Sequence, residues 1–301
     1  MTATWYFGVT TLADNTRGAV LMTATMAAFT LNDAFIKVLS AQLPLSQILT
    51  LRGVASTLCL TGIAIALGSL TLQQSARDWR FIALRTVSEV AAAYFFLTAL
   101  FNVPLANATA ILQSAPLVIT LAGAVFFKEA IGWRRLSAIL IGLIGVLLIV
   151  RPGTDGFDIF AIYALIAVVC VTARDIATRK VGATVPSLTM AVVGSAGVTV
   201  AAALASSVSP ESWRPVTMQA GWLLAGSTVS VVFAYLFSVM VMRVGDIGFV
   251  APFRYTGLVW ALGLGLVVFG DWPDPLTLIG ASIVVGTGLF AFFRERTLAR
   301  S

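Results

Sequence analysis

One long apolar stretch, residues 80–127, decides the fold: it reads RFIALRTVSEVAAAYFFLTALFNVPLANATAILQSAPLVITLAGAVFF. A single helix of this length would far exceed the ~20 residues that cross ~30 Å of hydrocarbon. Pro104 lies near the middle of the stretch, and proline ends or kinks a helix because its ring clashes with the preceding turn. The stretch therefore predicts two membrane-spanning helices, 80–101 and 104–127, joined at Pro104.

The composition of the whole chain extends this interpretation. Of 301 residues, 59% are hydrophobic and 11% are charged, with a mean hydropathy of +0.97. Soluble domains carry about a quarter charged residues, so a soluble enzyme with one membrane tail is excluded, as is disorder. The sequence predicts an all-α polytopic membrane protein with ten spans near residues 17–40, 45–68, 80–101, 104–127, 133–150, 157–179, 187–207, 217–242, 247–269 and 276–294.

Basic residues outside these spans are distributed unevenly between the two sides. One side has only Arg151 and Arg214. The other has Arg17, Arg77, Arg80, Lys128, Arg134, Arg135, Arg179, Lys180, Arg243, Arg294, Arg296 and Arg300. Because cytoplasmic loops are rich in Lys and Arg, both termini are expected in the cytoplasm: residues 1–16, which show no signal-peptide pattern, and the tail 295–301.

The two halves of the chain match when one is shifted by 142 residues. Thr30, Asp33, Pro44 and Thr57 then fall on Thr172, Asp175, Pro186 and Thr199, and the segment 86–88 falls on 228–230. Each unit, 17–150 and 151–294, holds five predicted spans, and an odd number makes the second unit enter from the opposite side. Two inverted five-helix repeats are an architecture of secondary transporters.

Charged residues inside the predicted spans suggest a polar interior. Each would cost ~2.5–3.5 kcal/mol at the centre of a lipid-facing helix, so they are expected to face one another or a cavity. The outer set comprises Asp33, Lys37 and Arg52; the inner set comprises Arg85, Glu89, Arg174, Asp175 and Arg254. One hypothesis is that both sets are ion-pair gates beside an apolar chamber. The alternative is static pairing, with Lys37, Arg85 and Arg174 extending to the headgroups.

The lining of that chamber can also be predicted. Gln113 and Tyr255 carry polar atoms that need partners, and Tyr94, Tyr235 and Trp260 add aromatic surface near mid-depth. Core packing is the alternative for the aromatic residues. Pro116 and Pro252 are candidate hinges, because a proline within a span kinks the helix and frees backbone carbonyls.

The rest of the composition argues against an enzyme. The chain has no histidine, and Cys59 and Cys170 lie in apolar runs. No metal or nucleotide motif is present, so no cofactor and no metal are expected. The net charge of +6 is explained by membrane orientation, so no nucleic-acid partner is expected.

Several motifs resemble the EamA-type members of the drug/metabolite transporter superfamily. They are Arg52, Phe126–Glu129, Gly132–Arg135, Gly142, Gly145 and Arg151–Gly153 in the first half, and Ala251–Phe253, Tyr255, Phe269–Asp271, Pro273, Gly280, Gly288 and Arg294–Glu295 in the second. The resemblance covers essentially the whole chain. Lys128 and Asp271 depart from the Gly-Glu that the family more often shows.

The resemblance implies ten helices in the bacterial inner membrane, working by alternating access on small organic solutes. Within the family the chain looks closest to the YddG-like exporters of aromatic and other amino acids. The alternatives are a drug, nucleoside or other metabolite carrier and, more remotely, a channel or an intramembrane enzyme. Coupling to protons would need a carboxylate, with Glu89 and Asp33 as candidates, and uncoupled movement is equally compatible. The expected partners are a small-molecule substrate and the lipid bilayer; a monomer is plausible, and the oligomeric state is left open.

Overall fold

The fold is all-helical over the residues that a computed structural model describes, which are 12–127, 132–152, 158–208, 212–241, 244 and 247–298. The helices are α1 (Leu12–Leu39), α2 (Leu45–Ala66), α3 (Ala76–Asn102), α4 (Leu105–Leu112), α5 (Ala115–Phe127), α6 (Trp133–Val150), α7 (Ile159–Lys180), α8 (Ser187–Val208), α9 (Met218–Val241), α10 (Ile247–Val250), α11 (Thr256–Leu264) and α12 (Pro275–Leu298). A 3₁₀ turn, Ala251–Tyr255, follows α10, and a π-helical turn, Gly265–Phe269, follows α11.

The helices confirm the class of polytopic membrane protein. In the described ranges, eight segments are long and apolar enough to cross a bilayer: 13–39, 45–66, 76–102, 105–125, 159–180, 187–208, 218–241 and 251–269. Two shorter apolar helices, Leu136–Val150 and Pro275–Ala291, occupy the places predicted for the fifth and tenth spans. A count of ten spans stays a prediction. Lys128, Glu129, Arg243, Gly153 and Arg300 lie outside the described residues.

Prolines and caps set the helix boundaries. α3 ends at Asn102 and α4 begins at Leu105, which confirms the predicted joint at Pro104. Pro44 precedes α2 in an extended conformation. At the start of α3, the Ser75 hydroxyl accepts a hydrogen bond from the backbone N–H of Asp78, which satisfies one of the free donors of the first turn.

Helices from the two halves of the chain pack against each other in pairs. α3 lies along α7, α1 along α9, α2 along α8, and α6 along α12. Glycines allow the α6 and α12 backbones to approach closely: a Cβ atom at Gly145 would lie 2.8 Å from the Gly280 carbonyl oxygen. Small residues have this role at helix contacts in membranes, where close packing replaces the hydrophobic effect. The halves therefore interlock rather than forming separate bundles.

Hydroxyl groups join α2 to α8 where these helices cross. Thr57 Oγ1 lies 2.8 Å from Ser195 Oγ and 3.4 Å from Thr199 Oγ1, and a Cβ at Gly53 would collide with Thr199. The contacts run Gly53 to Thr199 and Thr57 to Ser195, so the helices are antiparallel. Pro44 and Pro186, which precede α2 and α8, therefore lie at opposite ends of the bundle, named here the Pro44 end and the Pro186 end.

Candidate functional site

A cavity of about 270 Å³ lies among the paired helices. Residues from both halves of the chain line it, including five charged side chains: Asp33, Arg52, Glu89, Arg174 and Arg254. The sequence pattern predicts these charges in two sets beside an apolar chamber. The structure instead places members of both sets on the wall of a single cavity.

The first polar cluster centres on Asn32, toward the Pro44 end. Its amide nitrogen donates to Asp33 Oδ1 at 3.0 Å, and its oxygen accepts from Arg52 Nη1 at 2.9 Å. The Ser227 hydroxyl donates to the same oxygen at 2.8 Å. Within the described residues no ion pair joins Asp33 to Arg52, although their charges interact. Asn32 thus bridges two opposite charges that do not touch.

The second polar cluster centres on Glu89. Arg85 Nη1 lies 2.7 Å from Glu89 Oε2, and the Tyr235 hydroxyl donates to Glu89 Oε1 at 3.0 Å. Arg85 also donates to the Met190 carbonyl oxygen of α8 at 3.2 Å. A Cβ at Gly194 would collide with the Glu89 carboxylate, so a glycine is required where α8 passes this cluster. Glu89 is therefore a buried carboxylate that accepts hydrogen bonds from Arg85 and Tyr235 and lines the cavity.

Arg174 and Asp175 form an adjacent pair on α7. Arg174 Nη2 and Nε donate to Asp175 Oδ1 at 2.8 and 3.0 Å. Arg174 lines the cavity, where its charge interacts with that of Glu89. Asp175 is therefore a partner of the cavity arginine and does not itself line the cavity.

Two interrupted helices meet at the cavity. The fourth predicted span breaks between α4 and α5, at Gln113 and Ser114, and the ninth is 3₁₀ over Ala251–Tyr255. Gln113 Nε2 donates to the Arg254 carbonyl oxygen at 3.0 Å, which joins the two breaks. Broken helices expose backbone groups inside a membrane protein only where protein or a cavity can satisfy them. Such breaks are characteristic of transporter binding sites.

The apolar part of the wall combines aliphatic side chains with three aromatic rings. Phe29 and Phe96 line the cavity, as does Tyr235. The Phe29 and Tyr235 rings lie edge to face with centroids 5.8 Å apart, a favourable geometry for aromatic pairs. This wall can accept a flat apolar group beside the charged clusters.

Besides Arg85 and Asp175, four residues that were predicted as gates or chamber lining do not line this cavity. The Lys37 ammonium donates to the carbonyl oxygens of Leu100 and Val103 at 2.7 and 2.6 Å, so it caps α3 rather than facing the chamber. Tyr94 is 52% exposed and lines a separate groove at the Pro44 end, and Trp260 is 43% exposed. Tyr255 is buried against Gly288 of α12.

The proposed hinge prolines lie close to the helix breaks. Pro116 is in the first turn of α5, two residues after the Ser114 break, and Pro252 is the second residue of the 3₁₀ turn. Gln113 and Tyr235 line the cavity, and their contact with a substrate stays a prediction. Among the residues named above, Asn32, Ser227, Phe29 and Phe96 were not predicted to belong to the site. Asn32 could have been found from the sequence, because it places a polar amide directly beside Asp33 in an otherwise apolar helix.

Two buried polar atoms on the cavity wall lack a hydrogen-bond partner within the described residues: Arg52 Nε and Thr109 Oγ1. An unsatisfied buried donor costs about 1–3 kcal/mol, and more when it is charged. Thr109 and Gln113 are four residues apart in chain position and project from one face of the broken span. Both atoms belong to residues that line the cavity and have no hydrogen-bond partner among the described residues.

Comparison with known proteins agrees with this architecture. Residues 16–151 match the EamA-like transporter family. A riboflavin transporter of Vibrio cholerae is 27% identical over 89% of this chain and 90% of its own length. An S-adenosylmethionine uptake transporter of Rickettsia conorii is 25% identical over 88% of each chain, and a pseudopaline exporter of Pseudomonas aeruginosa is 25% identical over 90% of this chain and 95% of its own.

The fold as a whole also has a solved counterpart. A crystal structure of another protein aligns with a TM-score of 0.66 over 94% of this chain and 99% of that chain. The two sequences are 20% identical, so this likeness concerns the fold alone.

Proposed function

The resemblance to EamA-type transporters of small metabolites is confirmed over residues 16–151, and on that premise we propose that this protein exports amino acids by alternating access. Its substrates are aromatic and other neutral amino acids and related metabolites. The protein spans the bacterial inner membrane and uses no cofactor.

The central cavity carries this proposal. An amino acid needs partners for a carboxylate, for an ammonium group and for a variable side chain. Arg52, Asp33 and the aromatic rings around Phe29 offer these three kinds of partner in one cavity. The volume of about 270 Å³ is just below the ~300–1,000 Å³ typical of pockets for drug-sized ligands, which suits a small solute.

The packing of the halves supports alternating access. Under a shift of 142 residues, Gly53 corresponds to Ser195 and Thr57 to Thr199, so the contact of Gly53 with Thr199 corresponds to that of Ser195 with Thr57. The same shift exchanges the α3–α7 pair with the α9–α1 pair. We take these relations as those of two inverted five-helix repeats with ten spans in total. Equivalent halves can exchange conformations, which opens the cavity to one side and then the other.

Hydrogen bonds between described residues join neighbouring segments at each end of the bundle, including those of Gln42 at the Pro44 end and of Thr189 at the Pro186 end. At the Pro44 end, Gln47 exchanges two hydrogen bonds with the backbone of Arg214, at 2.8 and 2.9 Å. At the Pro186 end, the Gly182 N–H donates to Asp78 Oδ1 at 2.8 Å. Each such bond has a net value of only ~0.5–1.5 kcal/mol. Opening an end would therefore break several hydrogen bonds, each of modest net value.

The charge distribution favours one orientation. Arg77, Arg80, Arg179 and Lys180 lie at the Pro186 end, while Arg214 lies at the Pro44 end. With basic residues toward the cytoplasm, the Pro186 end and both termini face inward.

A second candidate substrate class has its own observation. Arg52, Arg174 and Arg254 line one cavity, and several cations suit an anionic metabolite or a nucleotide-like solute. The named relatives carry S-adenosylmethionine, riboflavin or pseudopaline, in both directions. S-adenosylmethionine contains an α-amino-acid group, and this favours amino acids as the substrate class. Riboflavin contains no such group.

Counterflow in reconstituted vesicles tests the proposal. Vesicles loaded with unlabelled tyrosine should transiently accumulate labelled tyrosine, which a channel cannot do. Unlabelled neutral amino acids should compete, and nucleosides and cationic drugs should not. Competition by nucleosides alone would replace the first substrate class with the second, and absence of counterflow for every solute would reject the transporter mechanism.

A further inference from the structure

The first polar cluster has the layout of a receptor for a zwitterion. Asp33 and Arg52 line the cavity with opposite charges, and Asn32 bonds to both at 3.0 and 2.9 Å. Ser227 holds the Asn32 oxygen from α9 at 2.8 Å. Direct pairing of the acid and the base would neutralise both groups. The amide instead keeps them apart and leaves each with capacity for a further partner.

The capacity of Arg52 is specific. Its Nη1 donates to Asn32, whereas its buried Nε has no partner within the described part of the chain. Guanidinium groups bind carboxylates through two parallel N–H donors. The Thr109 hydroxyl is a second buried, unpartnered group on the same wall. Asp33, Arg52 and Thr109 each lie within about two helical turns of the Pro44 end.

Asp33 supplies the complementary capacity. Its carboxylate accepts a hydrogen bond from Asn32, whereas an ionised carboxylate has about four acceptor sites. An ammonium group donates three hydrogen bonds. The carboxylate and ammonium of an α-amino acid are attached to one carbon, so they suit two receptor charges that are near each other and separated by an amide.

We propose that Asn32 is the spacer of an α-amino-acid headgroup site, in which the substrate carboxylate binds Arg52 Nε–H and the Thr109 hydroxyl while the substrate ammonium binds Asp33. The substrate side chain then lies against Phe29, Phe96 and Tyr235, which line the same cavity. This inference rests on the proposed function and deepens it. It assigns recognition to the headgroup, so side chains of different size share one site.

The site predicts a strict requirement for both charges of the substrate. Tyrosine has both, tyramine lacks the carboxylate, and 3-(4-hydroxyphenyl)propionate lacks the ammonium group. Binding of each is measured on the purified protein by calorimetry, independently of transport. Wild type should bind tyrosine about 10- to 100-fold more tightly than either analogue, the range for one lost charge-assisted hydrogen bond.

Substitutions distinguish the roles of the receptor groups. Arg52→Lys keeps a positive charge and a donor for Asn32 but removes Nε–H, so it should weaken tyrosine binding about tenfold or more and leave tyramine binding unchanged. Thr109→Val should do the same to a smaller degree, and Thr109→Ser should restore binding. Unchanged tyramine binding shows that each variant is folded. Cys59→Ser, at an exposed position, is the matched control with wild-type binding of all three ligands.

The outcomes separate this inference from the function on which it rests. Tight tyrosine binding that Arg52→Lys weakens supports the headgroup site even if counterflow fails, and failed counterflow would reject export alone. Equal binding of tyrosine and tyramine by wild type would overturn the headgroup site even if tyrosine is transported. An Arg52→Lys variant that binds both ligands more weakly by the same factor would also overturn it.

Discussion

Thr57 and Thr199 lie 142 residues apart in the chain, and their hydroxyl oxygens lie 3.4 Å apart where α2 crosses α8. The same distance in sequence relates Pro44 to Pro186, which precede these helices at opposite ends of the bundle. Under the proposed architecture of two inverted repeats, a residue that contacts its own counterpart lies near the axis that relates the repeats. The α2–α8 crossing is accordingly the place where a substitution should affect both halves together.

Gly53→Ala tests this crossing. The added Cβ would collide with Thr199, and overpacking of this kind costs about 1–3 kcal/mol. We expect a lower unfolding temperature in detergent and slower counterflow. Gly62→Ala is the matched control on the same helix, because its added Cβ would have no atom of a neighbouring described segment within 4 Å. Equal behaviour of the two variants would mean that the crossing is not tightly packed.

Glu89→Gln tests proton coupling. The chain has no histidine, and Glu89 faces the cavity with Tyr235 and Arg85 as partners. We expect the variant to lose stimulation of efflux by an imposed pH gradient while keeping counterflow, because exchange needs no net proton movement. Measurement of both activities in the same vesicles checks this. A wild type that ignores the gradient would remove proton coupling, and a variant that still responds would remove Glu89 as the carrier.

Lys37→Met tests whether this residue is structural. The ammonium satisfies the carbonyl oxygens of Leu100 and Val103 and lies 5.7 Å from the centre of the Phe269 ring. Its removal leaves two carbonyls at the end of α3 without their donor, so we expect about 1–3 kcal/mol of lost stability. Thermal unfolding with and without tyrosine measures this loss. Normal stability with abolished transport would restore the interpretation of Lys37 as a gate.

Asp274 caps the start of α12 and should contribute to stability in a pH-dependent way. Burial opposes ionisation, but hydrogen bonds from Thr277 and the Arg151 guanidinium lower the pKa of Asp274 overall. A lowered pKa stabilises the fold above the unfolded value of about 4, and this contribution fades as the pH falls through the folded pKa. We expect Asp274→Ala to cost about 1 kcal/mol at pH 7, a typical value for a lost cap.

The control for this cap is Asp274→Asn, which keeps a capping oxygen and loses the charge. Because Asp274 is exposed, solvent screens its pairing with Arg151, so this variant should lose less stability than Asp274→Ala. Unfolding temperatures between pH 3 and 8, a range chosen about the reference pKa of about 4, provide the measurement. A difference in unfolding temperature between wild type and Asp274→Asn that grows as the pH falls would contradict a lowered pKa of Asp274.

Much of the architecture follows from the sequence, because span length and proline position are one-dimensional properties. The joint at Pro104 needed only the ~20-residue limit set by the bilayer. The approach of Asp33, Arg52, Glu89 and Arg254 to a shared interior followed from the cost of placing a charge in lipid. No three-dimensional information was needed for these conclusions.

Helix rotation is the property that the sequence did not provide. Trp260 lies on α11, which is apolar on most sides, and nothing in its spacing distinguishes the cavity face from the lipid face. Tyr94 lies five residues after Glu89, about 140° around α3, a signal that the prediction did not use. Lys37 was predicted to belong to the outer charged set. Its actual partners are carbonyl oxygens at the end of α3, and the sequence does not show contacts between different helices. Asn32 was overlooked for a related reason: its importance depends on Arg52 and Ser227, which come from α2 and α9.

Distances across the two ends of the bundle, measured by pulsed electron paramagnetic resonance in vesicles, test alternating access most directly. Cys59 and Cys170 are first replaced by serine, and exposed sites are spin-labelled in pairs: Ala41 with Trp213 at the Pro44 end, and Arg77 with Lys180 at the Pro186 end. Tyrosine should lengthen one distance while the other shortens or stays short. Two distances that lengthen together, as in a channel, or that ignore every transported solute would contradict alternating access.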